Sequence, residues 1–307
     1  MGMATRHQLD DNLFKTAKWY VLNNSPEIEE YLNEHYNKVR EVHTNNVDRC
    51  HAAKFPTWFK SKIQDLRKNN PSEVSEDLYA LACGPEPWVV SYSACIMNGI
   101  RFHTRNHEEL RRTQNSGVLV SGEHQSESVE FYSVVKDILA LQYMKWRHVY
   151  LFECQWFDIA DPIRGIRVGE HLMSVNMSRS WYKDEPFVLA CQASQVFYLQ
   201  NTGLGSNWYA VQKVTNINVY DIPSNPLIED DESDSSDIDV YQEDNDGDAY
   251  IPVQVDDDGL VSPLHRRYVR MIVPTLLAAQ VKISPLMMKQ TRIGISSISE
   301  SPFSLHL

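Results

Sequence analysis

Residues 130–143, EFYSVVKDILALQY, decide the fold class, because this apolar stretch is either a long strand or a helix. Its large apolar residues lie at positions that suit one face of a helix as well as a strand, so spacing alone leaves both structures open: Phe131, Val134, Val135, Ile138 and Leu141. The tyrosine and valine content favours a strand. We therefore predict a strand at 130–143, with a helix as the alternative.

The sequence around this stretch has the pattern of an antiparallel β protein. Short runs rich in β-branched and aromatic residues alternate with segments containing Gly, Asp, Asn and Pro: GVLV at 117–120, VYLFECQWF at 149–157, QVFYLQ at 195–200 and WYAVQKV at 208–214. The pair Asn98-Gly99 is a strong signal for a two-residue hairpin turn. We predict a mainly β fold for residues 76–223, a small antiparallel β-barrel of SH3-like or BAH-like character.

The first 75 residues have a different pattern, which predicts a helical junction segment. Ser25 is expected to cap a helix that has Pro26 at its first position. The apolar residues that follow share one helical face: Ile28, Tyr31, Leu32, Tyr36 and Val39. A second helix is predicted around FPTWFKSKIQDLRK, residues 55–68, with Trp58, Phe59, Ile63 and Leu66 on its apolar face.

The charge of the chain is concentrated in one segment. The chain has 29 basic and 41 acidic residues, and 14 of the acidic ones lie between Glu229 and Asp258, where there is no Lys or Arg. We predict an acidic disordered linker at 224–261, because it has few large apolar groups to bury, and a poorly ordered tail at 262–307. Residues 1–228 carry 23 basic and 26 acidic residues. A protein partner is therefore at least as well supported as DNA, which favours a basic surface.

Neither a secretory signal nor an apolar run of about 20 residues is apparent, so we expect no membrane association. The five cysteines are odd in number and scattered, which favours reduced thiols. We predict a nuclear location, with the cytoplasm as the alternative.

The motifs of common enzyme sites are absent, and we predict no catalytic, cofactor, metal or small-molecule site. Ser116 lies in Asn-Ser-Gly without the first glycine of a nucleophile elbow, so it is interpreted as a turn serine that precedes the strand at 118–120. His103 and His107 lack a C-x-x-C partner motif. A weaker alternative is a metal-carboxylate nucleic-acid enzyme fragment that uses Asp137, Asp158 and Glu170.

Several motifs occur in a shared order between Ser91 and Pro223: SYSACIMNGIRFHT, RRTQNSGV, FYSVVKDILALQY, VYLFECQWFD, VNMSR, DEPFVLACQASQVFYLQ, NWYAVQKV and VYDIP. Together they resemble the plant domain of unknown function found C-terminal to the transposase in CACTA (En/Spm-like) DNA transposons. The resemblance implies a transposon-derived protein, with the transposase catalytic protein or chromatin as the expected partner. It brings no catalytic residues, because that family has no assigned activity, and a non-functional transposon relic stays an alternative.

The function that we predict is a non-catalytic interaction module that binds a protein partner, chromatin or DNA. The expected binding residues lie in the loop around RRTQN: Arg105, Arg111, Arg112, Gln114 and Asn115. The alternative for Arg111 and Arg112 is a surface ion-pair network with Glu108 and Glu109.

Overall fold

The computed structural model describes residues 4–43, 45–109, 111–124, 127–169, 172–181, 183–214 and the pair 270–271. The predicted acidic linker at 224–261 lies outside the described residues, and so does the predicted tail at 262–307 apart from Arg270 and Met271. The last nine positions of the predicted β-rich domain, 215–223, lie outside them as well.

Four helices precede most of the sheet: α1 (Asp11–Asn23), α2 (Glu29–Val42), α3 (Val47–Asn69) and α4 (Glu76–Cys83). Side chains cap two of them, because Asp10 accepts hydrogen bonds from the amides of Asn12 and Leu13, and Ser75 accepts one from Leu78. The predicted helical segment at 1–75 is confirmed in outline, including the second helix at 55–68. A single further turn, α5 (Arg105–Glu108), lies within the sheet region.

The expected start of α2 is wrong by one turn. Pro26 begins a 3-10 turn, Pro26–Ile28, and the α-helix itself starts at Glu29. Ser25 does not cap α2, because its hydroxyl instead donates a hydrogen bond to the carbonyl of Val21 at 2.7 Å. A serine at this position can satisfy the free carbonyls at the end of the preceding helix, and here that bond is the one that forms.

The described strands are, in chain order, β1 (Ala4–Gln8), β2 (Trp88–Tyr92), β3 (Ala94–Met97), β4 (Ile100–His103), β5 (Gly117–His124), β6 (Glu127–Tyr143), β7 (Arg147–Phe157), β8 (Ile166–Val168), β9 (Met173–Asn176), β10 (Ser180–Trp181), β11 (Phe187–Leu189), β12 (Ser194–Gln200), β13 (Trp208–Lys213) and β14 (Arg270–Met271). The predicted strand at 130–143 is therefore confirmed, and it is the longest described strand, β6. The mainly β prediction is confirmed with it.

Strand β6 organises the sheet. It pairs antiparallel with β7 along one edge, and with β2 and β5 along its length. From β5 the sheet continues through β12, β13 and β9 to β8, while β10, β11 and β14 pair with β7. Only β14 is parallel to its neighbour among these pairings of described strands. These hydrogen bonds form an open path without a closed ring, so the predicted SH3-like barrel is not confirmed.

The predicted hairpin at Asn98-Gly99 is confirmed as the turn between β3 and β4. Both turn residues have positive φ angles, 52° and 76°, which is the geometry that favours Asn-Gly in two-residue hairpins. The turn between β6 and β7 has the same sign of φ at Lys145 and Trp146 (57° and 61°), although neither residue is glycine or asparagine.

A β-bulge in β6 explains why the spacing of its apolar residues resembled a helix. The register with β7 shifts between Val135 and Asp137. Before the bulge Phe131 and Val135 pack in the same core as Ile138 and Ala140 after it, so the inward positions change from odd to even. A strict alternation of two cannot span this point, because the extra residue reverses the side-chain faces.

The helices pack on one face of the sheet and complete a shared core. This core joins helical residues such as Phe55, Phe59 and Ile63 with Leu139 and Leu141 of β6, and all five are fully buried. It also combines the predicted segments 1–75 and 76–223. Two further cores lie within the sheet region, one on the opposite face of β6 and one between β5, β12 and β13. No helix within the described residues is long and apolar enough to cross a membrane.

Candidate functional site

The loop that contains the predicted binding residues is held by Glu108 at the end of α5. One carboxylate oxygen of Glu108 accepts hydrogen bonds from the backbone amides of Asn115 and Ser116, at 2.7 and 2.6 Å. Ser116 is buried and leads directly into β5, which agrees with its interpretation as a turn serine. Glu108 therefore shapes the loop, in addition to any part it takes in the predicted ion-pair network.

Two of the predicted binding residues make bonds within the protein. The Gln114 amide donates to the carbonyl of Tyr198 at 3.0 Å and accepts from its amide at 2.8 Å, as a neighbouring strand would. The Asn115 side chain accepts a bond from Gln195 at 3.3 Å, and its carbonyl accepts one from the amide of His103. Both residues fix the loop to the sheet.

The predicted arginines occupy three different settings. Arg105 is the first residue of α5, Arg111 is half-buried, and Arg112 is exposed. Their role in partner binding stays a prediction.

The carboxylates of the enzyme alternative have separate partners. Asp158 is buried, and its side chain bonds the guanidinium of Arg179 at 3.1 Å and the amide of Ala160 at 3.1 Å. Asp137 accepts a bond from the Ser91 hydroxyl at 2.9 Å, and burial raises the pKa of its carboxyl. Glu170 lies outside the described residues. Across the described part of the chain, no three His, Cys, Asp or Glu side chains form a group that could hold a metal ion.

The histidine pair and the cysteines noted in the sequence make no metal or disulfide group among the described residues. The rings of His103 and His107 meet edge to face, with centroids 4.9 Å apart. All five cysteines are free thiols. Burial raises the pKa of Cys95 and of Cys154 to about 12, so both stay protonated at neutral pH and are poor nucleophiles.

One concave feature that the sequence did not predict is a cleft of about 470 Å³ between the helices and the loop before β11. We call it the helical cleft. Its lining comes from α1 (Lys15, Thr16, Trp19, Asn23), α2 (Leu32, Asn33, Tyr36), α3 (Asp48, Arg49, His51, Ala52, Ala53) and the loop (Asp184, Glu185). Its volume lies in the range of small-molecule pockets, about 300–1,000 Å³.

A buried pair of histidines lies beside this cleft. The Nδ1 atoms of His35 in α2 and His51 in α3 are 2.7 Å apart, so one ring donates to the other. Both side chains are buried, and Phe55 packs against both rings. Burying two imidazoles in this way satisfies one nitrogen of each ring by the other.

The pair is neutral at neutral pH. Burial is the main cause that lowers the pKa of His51 to about 4, and the neighbouring His35 lowers it further, while Asp48 acts in the opposite direction. Burial also lowers the pKa of His35, with contributions from Lys38 and Lys54. A protonated ring in this position would place an unpaired charge among aromatic side chains.

Three aromatic rings border the helical cleft, and two of them stand at steep angles to the third. The planes of Trp19 and Tyr36 are inclined by 86° and 79° to that of His51, with ring centroids 5.3 and 5.4 Å from it. The Tyr36 hydroxyl donates a hydrogen bond to a carboxylate oxygen of Asp48 at 3.3 Å. The cleft thus combines aromatic surfaces with a carboxylate.

Sequence reasoning missed this site because its residues come from three helices and a distant loop. One signal was present: His35 falls between Leu32 and Val39 on the apolar face of α2, where a polar side chain needs a buried partner. The partner, His51, is 16 positions away and cannot be identified from spacing.

A second concavity of about 570 Å³ lies at the β8–β9 edge of the sheet. It is lined in part by Arg167 and Leu172, and the Arg167 guanidinium lies 5.0 Å from the centroid of the Trp208 ring. Val168 and Leu172 are exposed beside it.

Comparison with known proteins gives one family match. A family model described as a domain of unknown function (DUF4216) matches residues 139–211, from the second half of β6 into β13. No curated protein and no solved structure matches the chain. The match lies within the region from Ser91 to Pro223 in which the sequence resembles a domain of unknown function.

Proposed function

We propose that the chain is a non-catalytic interaction module that binds a segment of a protein partner in the helical cleft. The observation that carries the proposal is the cleft itself: about 470 Å³, bordered by Trp19, Tyr36 and Leu32, with charged side chains around it. Apolar and aromatic walls with a few polar groups are typical of sites that bind a side chain of a partner.

The expected partner follows from the resemblance of the sequence to a transposase-associated domain. We propose the transposase catalytic protein or a chromatin protein, met in the nucleus, and a transposon-derived origin for the chain. The family match to a domain of unknown function lies in the same region of the chain and describes neither an origin nor an activity.

A protein is preferred to DNA as the partner because of charge. Residues 1–228 carry 26 acidic and 23 basic residues, so this part of the chain has no excess of positive charge to neutralise phosphates. The side chains of Gln114 and Asn115 are hydrogen-bonded within the protein. The helical cleft is therefore the first surface to test, before the predicted loop.

The test blocks the cleft and leaves the fold intact. Ala53 lines the cleft and is exposed, so Ala53→Trp places an indole at its mouth without changing the core. Ser61→Trp, at an exposed position two turns further along α3, is the matched control. Peptides selected from a random 12-residue library by the full chain are then titrated against both variants by fluorescence anisotropy.

We expect selected peptides to lose about tenfold or more in affinity for Ala53→Trp and to bind Ser61→Trp as they bind the unmodified chain. Equal binding to both variants would place the interaction elsewhere on the surface. A parallel titration with duplex DNA across a salt series tests the nucleic-acid alternative, which requires binding that persists at physiological salt.

A further inference from the structure

We propose that the helical cleft recognises the ammonium group of a lysine side chain on the partner, held by Trp19, Tyr36 and the Asp48 carboxylate. This inference rests on the proposed function and names the chemistry of the group that enters the cleft.

The ring geometry supplies π surfaces to a cation. Trp19 and Tyr36 both border the cleft, and both stand nearly perpendicular to His51 with centroids 5.3 and 5.4 Å from it. A cation within about 6 Å of an indole or phenol ring is attracted by the ring quadrupole, more strongly when it is partly removed from water. The Trp19 and Tyr36 rings therefore offer two such π systems at the border of the cleft.

The charges around the cleft favour a cation over an anion. Three carboxylates line it, those of Asp48, Asp184 and Glu185, against the two basic side chains of Lys15 and Arg49. Tyr36 holds one oxygen of Asp48 through its hydroxyl, which fixes a carboxylate beside the aromatic rings. His51 adds no positive charge at pH 7, since its pKa is lowered to about 4.

The molecule already places ammonium groups in this kind of setting. On the outer face of α2 and α3, the Nζ atoms of Lys38 and Lys62 lie 5.1 and 5.9 Å from the centroid of the Trp58 ring. Both ammonium groups also bond a carboxylate oxygen of Glu34, at 2.7 and 3.1 Å. At Trp58 the chain's own lysines thus contact both an indole and a carboxylate, and an indole and a carboxylate, those of Trp19 and Asp48, also line the helical cleft.

The experiment separates charge from shape. Three probes are titrated into the full chain by calorimetry and by the NMR signal of the Trp19 indole N–H: N-acetyl-lysine methylamide, its trimethylated form, and a neutral isostere in which tert-butyl replaces the trimethylammonium. We expect the trimethylated probe to bind about fivefold or more tighter than the neutral isostere, because only the cation interacts with the ring quadrupole and the carboxylate.

The variant Asp48→Asn removes the negative charge with little change in volume. It should weaken binding of the cationic probe about threefold or more and leave binding of the neutral isostere unchanged. Asp65→Asn, an exposed carboxylate on the same helix and outside the lining, is the matched control and should change neither. If Asp48→Asn does not fold, as judged by circular dichroism, Asp184→Asn tests the same charge from the loop, with an expected weakening of about twofold.

Three results would overturn the inference: equal or tighter binding of the neutral isostere, no binding of any probe at millimolar concentration, or unchanged cation affinity in Asp48→Asn. The proposed function has its own readout. If library peptides bind the unmodified chain and fail to bind Ala53→Trp, the interaction module is supported even when the ammonium specificity is rejected. If library peptides bind Ala53→Trp as tightly as the unmodified chain, the proposal of a binding module in the helical cleft is rejected.

Discussion

The sheet and the helical layer bury their polar groups in different ways. In the sheet, buried polar side chains hold the backbone: Asp158 binds Arg179 and a turn amide, and the Tyr198 hydroxyl bonds the carbonyl of Ser133 at 2.9 Å. In the helical layer, Asn24 and Ser25 bond backbone carbonyls as well, but the buried His35 and His51 bond each other beside a cleft. The difference therefore lies in the histidine pair, whose two rings bond each other rather than the backbone and border a cleft with aromatic walls.

This difference predicts that the sheet tolerates added volume poorly. The most severe case is Gly117, where β5 begins, because a Cβ there would lie 2.1 Å from the carbonyl oxygen of Val196 and 2.9 Å from the Tyr198 ring. Since the nearest atom is backbone in a paired strand, we expect Gly117→Ala to lower the free energy of unfolding by about 3 kcal/mol. The measurement is a urea titration followed by circular dichroism.

The matched control is Gly203→Ala in the loop before β13, where the nearest atom to an added Cβ is the Asn201 side-chain oxygen at 3.4 Å. It should change the free energy of unfolding by less than about 0.5 kcal/mol. A small effect at both glycines would mean that β5 and β12 can move apart. The sheet would then not be more rigid than the helical layer.

The helical layer should instead be the part that responds to pH. The folded-state pKa values of His51 and His35 are lowered from 6.5, that of His51 to about 4, so below pH 6.5 the unfolded chain binds more protons than the folded one. The stability that the neutral His51 contributes is complete above about pH 6.5 and is lost as the pH falls towards 4, by up to about 1.4 kcal/mol per pH unit, and His35 acts in the same direction.

Urea midpoints measured from pH 7.5 to 4.5 check this expectation. The double variant His35→Phe and His51→Phe removes both titrating groups and should have a flatter profile than the unmodified chain. His43→Asn removes a histidine that contacts Lys54 at the surface and serves as the control. Parallel profiles for the unmodified chain and the double variant would show that other groups dominate acid unfolding.

The smallest expected effect separates structure from binding in the loop at 104–116. Gln114→Ala leaves the amide and carbonyl of Tyr198 without their partner and should cost about 1 kcal/mol. Arg112→Ala, two positions earlier at an exposed residue, should cost less than about 0.5 kcal/mol. Thermal unfolding of both variants measures the two losses of stability. A larger loss for Arg112→Ala would mean that Arg112, and not Gln114, holds the loop in place.

The sequence predicted those elements whose signals are local. The Asn98-Gly99 turn, the strand run at 149–157 and the apolar face of α2 each depend on neighbouring residues, and each is present. Strand β6 was the ambiguous case, because the bulge at 135–137 shifts its inward positions by one and mimics a helical repeat.

The site could not be predicted in the same way, because its contacts join distant parts of the chain. Gln114 looked like an available polar side chain until the structure placed Tyr198, 84 positions away, beside it. Likewise Trp19, Tyr36 and His51 look like ordinary core aromatics in the sequence, and only their packing places them around one cleft. Residue type alone does not determine whether an aromatic or amide side chain faces its own protein or a partner.

Strand β6 contributes to all three cores, and this has a consequence for how the region can be inherited. Its residues Leu139 and Leu141 complete the core under the helices, while Ile138 and Ala140 complete the core on the other face. A genetic exchange that transferred only residues 139–211 would divide β6. The apolar side chains of its second half would then lack the helices that bury them. The helices and the sheet are therefore expected to travel together between genes, as one unit of recombination.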